Sequence, residues 1–538
     1  MRADLRRTAR AAAWLVLVAV AAGCAAFLRP EGDGGWDAER RREEMARLQA
    51  AAGVSSAADA GTPSSVGAAR DAAPQPTSDT AARPTTSETT SYDADEPTTD
   101  DATAGRATSA PDAAQTIDLA RALELAERGN RRIAEARLGL VATAERVAEV
   151  RGLFLPATNA QARYTWYSDP QTTNVELPPG FLPPGVPVPE VKVRDAEAGT
   201  VNTTIDFPLD LTGELRHTLA AAQAGYRGER ARVWATTLEE QLAVVQAYFD
   251  LLEARRLRTV TEQTIAVYRS QLDIARSRFD QGRLTKNDLL TVEVALQTAE
   301  QALLGRELAI EQARWAFNRV IGADVNAPAV LADVRTPPDV PPLERALELT
   351  WENNPILIAL LEEQQRLEDT VTALERSRFP RFGGGGAMDY STSDILTPPQ
   401  IGSGYVGFSW DLGTDMRREA RIAEARIEAE RNRVVMQRQM RELEAAVRAA
   451  HLATIERLAA YATAQAALGQ AEENLRIREQ QFDVGRAQSD DVLIAERLLA
   501  EQRATLATAL YQAHTRRAAL QRLMGLPLDE LAAATRSS

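Results

Sequence analysis

Phe279-Asp280-Gln281-Gly282-Arg283-Leu284-Thr285 and Phe482-Asp483-Val484-Gly485-Arg486-Ala487-Gln488 carry one pattern, 203 residues apart. Each sets a glycine just past a helical run, where a residue able to take positive φ closes a helix without strain. No proline lies between Pro208 and Pro328, or between Pro399 and Pro527. Proline costs about 3 kcal/mol inside a helix, so each of these two stretches is free to be helical and to fold in two at its glycine. Glu214 to Gln281 spans 68 residues, a helix of ~100 Å at ~1.5 Å per residue and far longer than the usual globular one. The returning arms step by three and four. Leu289, Val292, Leu296, Ala299, Leu303, Ile310, Ala313, Phe317 and Val320 mark the first; Val492, Ala495, Leu499, Leu506, Ala509, Ala513, Leu520 and Leu523 mark the second. Arg306, Gln502 and Arg516 interrupt these seams. Sustained spacing of this kind predicts coiled-coil packing of two long antiparallel hairpins.

The duplication extends outward from the hairpins, at shifted offsets. Leu119-Ala120-Arg121-Ala122-Leu123-Glu124-Leu125 recurs as Leu343-Glu344-Arg345-Ala346-Leu347-Glu348-Leu349, and Pro156 recurs as Pro380, both at 224; Asp210-Leu211 recurs as Asp411-Leu412 at 201. The first repeat therefore carries about 23 extra residues between Pro156 and Asp210, assigned to the proline-rich loop Pro178 to Pro189. A short helix is expected at the start of each repeat, Asp118 to Val150 and Leu343 to Arg376.

Between short helix and hairpin the period changes to two. Ala160, Ala162, Tyr164 and Trp166 alternate with Gln161, Arg163, Thr165 and Tyr167, and Val201, Thr203, Ile205 and Phe207 alternate with Asn202, Thr204 and Asp206. In the second repeat Val406, Phe408, Trp410 and Leu412 alternate with Gly407, Ser409 and Asp411, while Gly383 to Tyr390 is glycine-rich and a weak strand signal. Four strands per chain is the expectation. A membrane barrel needs at least eight and leaves no edge in lipid, so such strands can span a membrane only in an oligomer.

Composition excludes several function classes. Net charge is −14, with 26% charged residues, which excludes a basic nucleic-acid binder. The three histidines, His217, His451 and His514, lie far apart, and Cys24 is the single cysteine. No Cys/His metal cluster or Cys-His nucleophile can be assembled from them. Neither a Gly-x-Ser-x-Gly nor a phosphate-cradling loop is present, and Gly383-Gly384-Gly385-Gly386 lacks the following Lys-Ser/Thr. No cofactor is expected beyond a covalent lipid.

That lipid belongs to the N-terminus. Arg2, Arg6, Arg7 and Arg10 precede a short apolar run, Ala11 to Val20, in the pattern of a secretory signal. The run ends in Ala21-Ala22-Gly23-Cys24, which resembles a bacterial lipobox. Two processing routes stay open: lipidation of Cys24 as the new N-terminus, and ordinary cleavage after Ala21 with a free thiol left behind. By the resemblance to lipoproteins, Ala25 in place of Asp after the cysteine implies the outer membrane. The expected organisation is a signal peptide over 1–23, a lipidated N-terminus and disordered tether over 24–115, a first repeat over 116–327, a linker over 328–342, a second repeat over 343–526 and a tail over 527–538. The tether is rich in Ala, Ser, Thr, Pro, Asp and Gly, too apolar-poor to offset its ordering entropy.

The order short helix, strand pair, long hairpin, all duplicated, resembles the outer-membrane efflux protein (TolC-like) family. So do Leu153-Phe154-Leu155-Pro156 and Arg378-Phe379-Pro380 before the strands, and Asp288-Leu289-Leu290 and Asp491-Val492-Leu493 after the tips. The resemblance implies an α+β chain that trimerises: four transmembrane strands from each copy complete a 12-stranded β-barrel, above an α-barrel of coiled-coil hairpins. It implies a Gram-negative outer-membrane channel that passively conducts substrates handed over by a periplasmic adaptor and an inner-membrane pump, in efflux or type I secretion. It further implies a periplasmic gate at Asp288 and Asp491, with Ile494 replacing the family's second acid, and adaptor docking at Phe279, Gly282, Arg283, Thr285, Phe482, Gly485 and Arg486. Asp288 and Asp491 also suit the first turns of their helices on dipole grounds alone. The competing reading is a coiled-coil scaffold without channel activity, which leaves the lipobox, the strands and the matched tips without a purpose.

Overall fold

The computed structural model of the chain describes residues 116–174, 183, 190–393, 395–396, 398–411, 416–484 and 486–529. The signal peptide, Cys24, the tether, Leu412, Gly485 and all but Pro183 of the loop Pro178 to Pro189 lie outside the described residues.

The first repeat runs α1 (Leu119–Gly129), α2 (Arg131–Gly152), β1 (Ala157–Trp166), β2 (Gln171–Asn174), β3 (Glu190–Arg194), β4 (Glu197–Leu209), α3 (Glu214–Asp280) and α4 (Lys286–Ile321). The second runs α5 (Leu343–Asn353), α6 (Pro355–Arg376), β5 (Arg381–Ser391), β6 (Gln400–Ser409), α7 (Met416–Asp483) and α8 (Ser489–Leu523). The duplication is visible in the boundaries: Leu343 follows Leu119, and Arg376 follows Gly152, by 224 residues, while Lys286 and Ser489 differ by 203.

Each expected short helix is in fact two. Asn130 sits in extended backbone between α1 and α2, its side-chain oxygen accepting from the amides of Arg132 (2.8 Å) and Ile133 (3.4 Å). Asn354 does the same for Ile356 and Leu357, with Pro355 at the first helical position. An Asn that caps the next helix takes the chain out of the previous one, and a proline is tolerated where its missing N–H is not needed. The break is sealed from the far end of each repeat. Asn130 Nδ2 donates to the Val320 carbonyl (3.2 Å), and Asn354 Nδ2 to that of Leu523 (2.9 Å). Gly322 and Gly525 then turn at φ +74° and +72° against the backbones of Gly129 and Asn353.

The helices form one layer. α3 packs against α2 and α4 on one side and against α6 and α8 on the other; α7 packs on α6 and α8. The layer thus has two free edges, α2 with α4, and α7. Its largest core lies at the level of the breaks, around Leu123, Tyr248, Phe249, Phe317 and Tyr511, with a second around Leu357, Met436, Met440 and Leu520. The linker crosses the outside of this core as a belt. Tyr248 Oη donates to Ala332 O (2.7 Å), Tyr511 Oη to Asp333 (2.9 Å), His514 Nε2 to Thr336 O (2.9 Å), Arg517 Nε to Asp339 O (2.7 Å) and His451 Nε2 to Pro341 O (3.0 Å). Ile117 exchanges backbone hydrogen bonds with Val330 and Ala332. A linker without its own secondary structure is held because its carbonyls are satisfied by helix side chains.

The four expected strands form one antiparallel sheet in the order β1-β4-β5-β6. The surplus of the first repeat is more than a loop: it includes a second hairpin, β2 with β3. Asp195 at its base receives Lys192 Nζ and Ser393 Oγ, each at 2.5 Å, and so ties the hairpin to the β5–β6 connection. The glycine run is fully strand. Asp206, Gly385 and Tyr405 stand side by side in the register. The Tyr405 ring lies across Gly385 and its hydroxyl donates to Asp206. A Cβ on Gly385 would meet the ring at 2.8 Å and the Ile205 carbonyl at 2.5 Å. Among the described residues no helix is long and apolar enough to cross a membrane.

Candidate functional site: the one-faced sheet and the hairpin tips

In antiparallel pairs, directly opposed residues point to the same side. The register therefore sorts the sheet. Trp166, Tyr164, Ala162, Val201, Ile205, Phe207, Tyr390, Met388, Phe382, Val406 and Phe408 share one face. Gln161, Arg163, Asn202, Asp206, Asp389, Arg381 and Ser403 share the other, together with Ile401 as an apolar exception. Asn202 Nδ2 donates to Asp389 across β4 and β5 on the polar face (2.5 Å). On the apolar face Tyr164, Trp166, Val201, Met388, Tyr390, Val406 and Phe408 are all exposed. β1 and β6 are the two edge strands and run in opposite directions. Trp410 lies past the end of β6 and donates Nε1 to Arg378 O (3.1 Å), so the expected alternation stops at Ser409.

At the other end of the long helices, α3 stops where Gly282 takes φ +69°. Gly282 N bonds to Phe279 O, and Arg283 N to Arg278 O, both at 2.8 Å. The second of these bonds recurs as Arg486 N to Gln481 O (2.7 Å). The acids then open the returning helices. Thr285 Oγ1 accepts from Asp288 N while Asp288 Oδ2 accepts from Thr285 N, both at 3.3 Å, and Thr285 Oγ1 donates to Asp288 at 2.7 Å. Asp491 accepts from Gln488 N at 3.0 Å. Both acids thus close capping boxes, which satisfies amides that a helix start leaves bare. The cap and the gate readings share the same carboxylates.

The two tips touch. The Arg278 guanidinium lies 3.9 Å from the centre of the Phe482 ring, and its Nη1 donates to Phe482 O at 3.3 Å. Phe482 is consequently only 4% exposed, whereas Phe279 is 38% exposed. Gly282, Arg283, Thr285 and Arg486 are exposed too. The duplication hid Arg278, because its counterpart at offset 203 is Gln481; no repeated motif marked it. Behind the tips, Tyr268, Leu272, Ala275, Val292 and Leu493 form a small core joining α3, α4 and α8. Beside it runs a groove of about 710 Å³ between α4 and α8 with α3 as its floor, lined by Thr264, Tyr268, Val294, Thr298, Asp490 and Arg497 among others. Burial pushes the Tyr268 hydroxyl above its usual range, and it also pushes up Glu496 nearby. No group of three or more His, Cys, Asp or Glu side chains suited to a metal occurs among the described residues.

A family model described as outer membrane efflux protein matches residues 122–323 and 346–526. No curated protein matches in sequence. Among solved structures, the chain is similar to CusC, a protein reported to fold into a transmembrane channel, at 15% identity and TM-score 0.64, over 76% of this chain and 92% of that one. It is similar to the Campylobacter jejuni outer membrane channel CmeC at 16% identity and TM-score 0.63, over 76% and 85%. It is likewise similar to the Vibrio cholerae outer membrane protein VceC at 16% identity and TM-score 0.61, over 76% and 96%.

Proposed function

Because this chain belongs to the outer membrane efflux protein family, we propose that it works as a homotrimeric channel-tunnel of the Gram-negative outer membrane, catalysing nothing and conducting substrates passively to the exterior. The observation that carries the reading is the sheet: one face largely apolar and exposed, the other largely polar, and both edge strands unpaired among the described residues. Four strands cannot close alone, and an open edge is not tolerated in hydrocarbon. Three copies give twelve strands. Because β1 and β6 are antiparallel, the new pairs between copies are antiparallel as well. The apolar face then meets lipid, with Trp166, Tyr164 and Tyr390 at the end remote from the helices, where aromatic side chains favour the membrane–water interface. The polar face lines the lumen.

Below the barrel, α3 at 67 residues is ~100 Å long. Helices of this length place the tips deep in the periplasm. The tips are where a periplasmic adaptor, itself joined to an inner-membrane pump, would dock, through Phe279, Gly282, Arg283, Thr285 and Arg486. Phe482 acts there by holding the second tip under Arg278; Gly485, outside the described residues, joins the docking set by its place in the repeated motif. Asp288 and Asp491 recur three times around the mouth and favour cations through focused charge. A diacylglycerol on Cys24 adds a lipid anchor through the 24–115 tether, a modest supplement to a barrel. Detergent-purified protein should contain three chains around a tube of roughly 100 Å; a stable monomer with full strand content would contradict the reading.

A further inference from the structure

The two hairpins are built on one frame but differ at one pair of positions near their tips. In the first, Arg276 on α3 faces Glu293 on α4, with Arg276 Nη2 at 3.3 Å from a Glu293 carboxylate oxygen. At the repeat offset of 203 the same positions are Glu479 on α7 and Glu496 on α8. The ion pair of one hairpin is two acids in the other. The surroundings differ as well. The Glu293 side chain is 34% exposed, whereas Glu496, on a helix packed between α7 and α3, is only 2% exposed. Two turns nearer the tip on α8, Ser489 is buried too, and its hydroxyl has no hydrogen-bond partner among the described residues; its counterpart Lys286 is exposed. The second hairpin thus buries polar groups at places where the first leaves them paired or in water.

Each helix around Glu496 contributes to its field. From α7, Glu479 repels it. Arg503, two turns along α8, attracts it, but that guanidinium also reaches Gln263 on α3 (3.4 Å) and Glu472 on α7 (3.8 Å). On α7, Glu473 is held by Arg476 (2.5 Å) and Arg478 reaches Gln481 (3.3 Å). From α3 it meets the Tyr268 hydroxyl, which also lies within the field of Arg497. The α4 acids at this level are held elsewhere, Glu293 by Arg276 and Glu300 by Arg269 (2.8 Å). Burial pushes the Glu496 carboxyl above its usual range; Arg503 pulls it back, and Glu479 adds to the rise. A carboxyl raised in this way weakens the packing around it when ionised. That weakening is present at neutral pH and is relieved as pH falls through the raised value towards the ordinary carboxylate range.

We propose that Glu496 is a proton-operated latch on the second hairpin: protonated, it donates to Glu479 and holds α8 against α7; ionised, it repels Glu479 and the two helices part near the tip. The first hairpin, with Arg276 in place of an acid, has no such latch. Resting on the channel reading above, the latch makes opening of the periplasmic mouth follow periplasmic pH through one hairpin of the two.

Hydrogen exchange on the full-length protein in detergent tests it, because exchange reads local opening segment by segment. Peptides from 472–500 are compared with their counterparts from 269–297 at about pH 7.5 and about pH 5, after correction for intrinsic rates, in the range where a carboxyl of raised pKa titrates. In the wild type the second tip should become more protected at the lower pH, by about threefold or more, the factor that half a pKa unit of linkage gives; the first tip should not. Glu496→Gln, which cannot ionise, should be protected at both values. Glu479→Arg rebuilds the ion pair of the first hairpin and should also be protected at both. A second tip no more pH-dependent than the first, or either variant keeping the wild-type ratio, would overturn the latch. These ratios do not depend on conduction: a protein that shows them and passes no ions would refute the channel and leave the latch standing.

Discussion

Gly525→Ala tests the logic of the repeat closure. Gly525 takes φ +72°, and a Cβ there would lie 2.2 Å from the Asn353 carbonyl oxygen, 2.5 Å from its carbon and 2.9 Å from Asn354 N. All three are backbone atoms, so no side chain can swing aside. An L residue in the left-handed region costs roughly 1–2 kcal/mol, and forcing one more methyl into a packed site adds typically 1–3 kcal/mol. The expected loss is therefore about 2–5 kcal/mol, in the range reserved for core defects. Gly322→Ala, whose Cβ would meet Gly129 O at 2.3 Å, should behave alike, because the two sites are copies of one design. Gly139→Ala in α2 is the counter-case: its nearest neighbour would be a flexible Glu229 carboxylate at 3.6 Å. It should raise stability by about 0.5–1 kcal/mol through helix propensity. Thermal unfolding followed by helical circular dichroism in detergent orders the variants. If Gly525→Ala melts with or above Gly139→Ala, the packing of the returning chain on the Asn353–Asn354 break has been misread.

Burial holds the His514 pKa down to about 4 from 6.5, where the ring stacks on Phe249 at 4.8 Å. The folded ring stays neutral while unfolded chains take up a proton below pH ~6.5, so stability should fall between pH 6.5 and 4, by about 3 kcal/mol from this group. His514→Gln should flatten that slope; an unchanged slope would assign the acid lability elsewhere. Asp491→Ala should lower the cation selectivity of single channels and, by removing an exposed cap, cost no more than ~1 kcal/mol; wild-type reversal potentials in both Asp491→Ala and Asp288→Ala would leave these acids as caps only. Mass spectrometry of the mature N-terminus should find a diacylglyceryl cysteine at Cys24, and a chain starting at Ala22 with an unmodified Cys24 would rule that out.

Much of the architecture was legible because it rests on local rules. The absence of proline from 209 to 327 and from 400 to 526 fixed the long helices, and Gly282, at φ +69°, marks a tip as capping chemistry requires. Period-two alternation located β1, β4 and β6. The breaks at Asn130 and Asn354 went unread because helical spacing continues on both sides, although Asn354-Pro355 carries the signal of a cap followed by a first-turn proline. β2 and β3 went unread because each is short and flanks a proline-rich loop. The β5 glycines look like loop in isolation; what makes them a strand is Tyr405 lying across Gly385 from a partner strand, a tertiary fact. The tips were legible as motifs, but the Arg278–Phe482 contact was not, since it joins two residues 204 apart that share no repeated pattern. Arg306 and Arg516, imperfections of the heptads, are exposed, so the seams simply do without them.

The central claim is a water-filled path through the outer membrane built from three copies. Single-channel recording in planar lipid bilayers tests it most directly. Purified protein should insert and give discrete, uniform conductance steps with cation preference at neutral pH. Protein that assembles, inserts and yet passes no ions across a range of voltages and salt concentrations would contradict it.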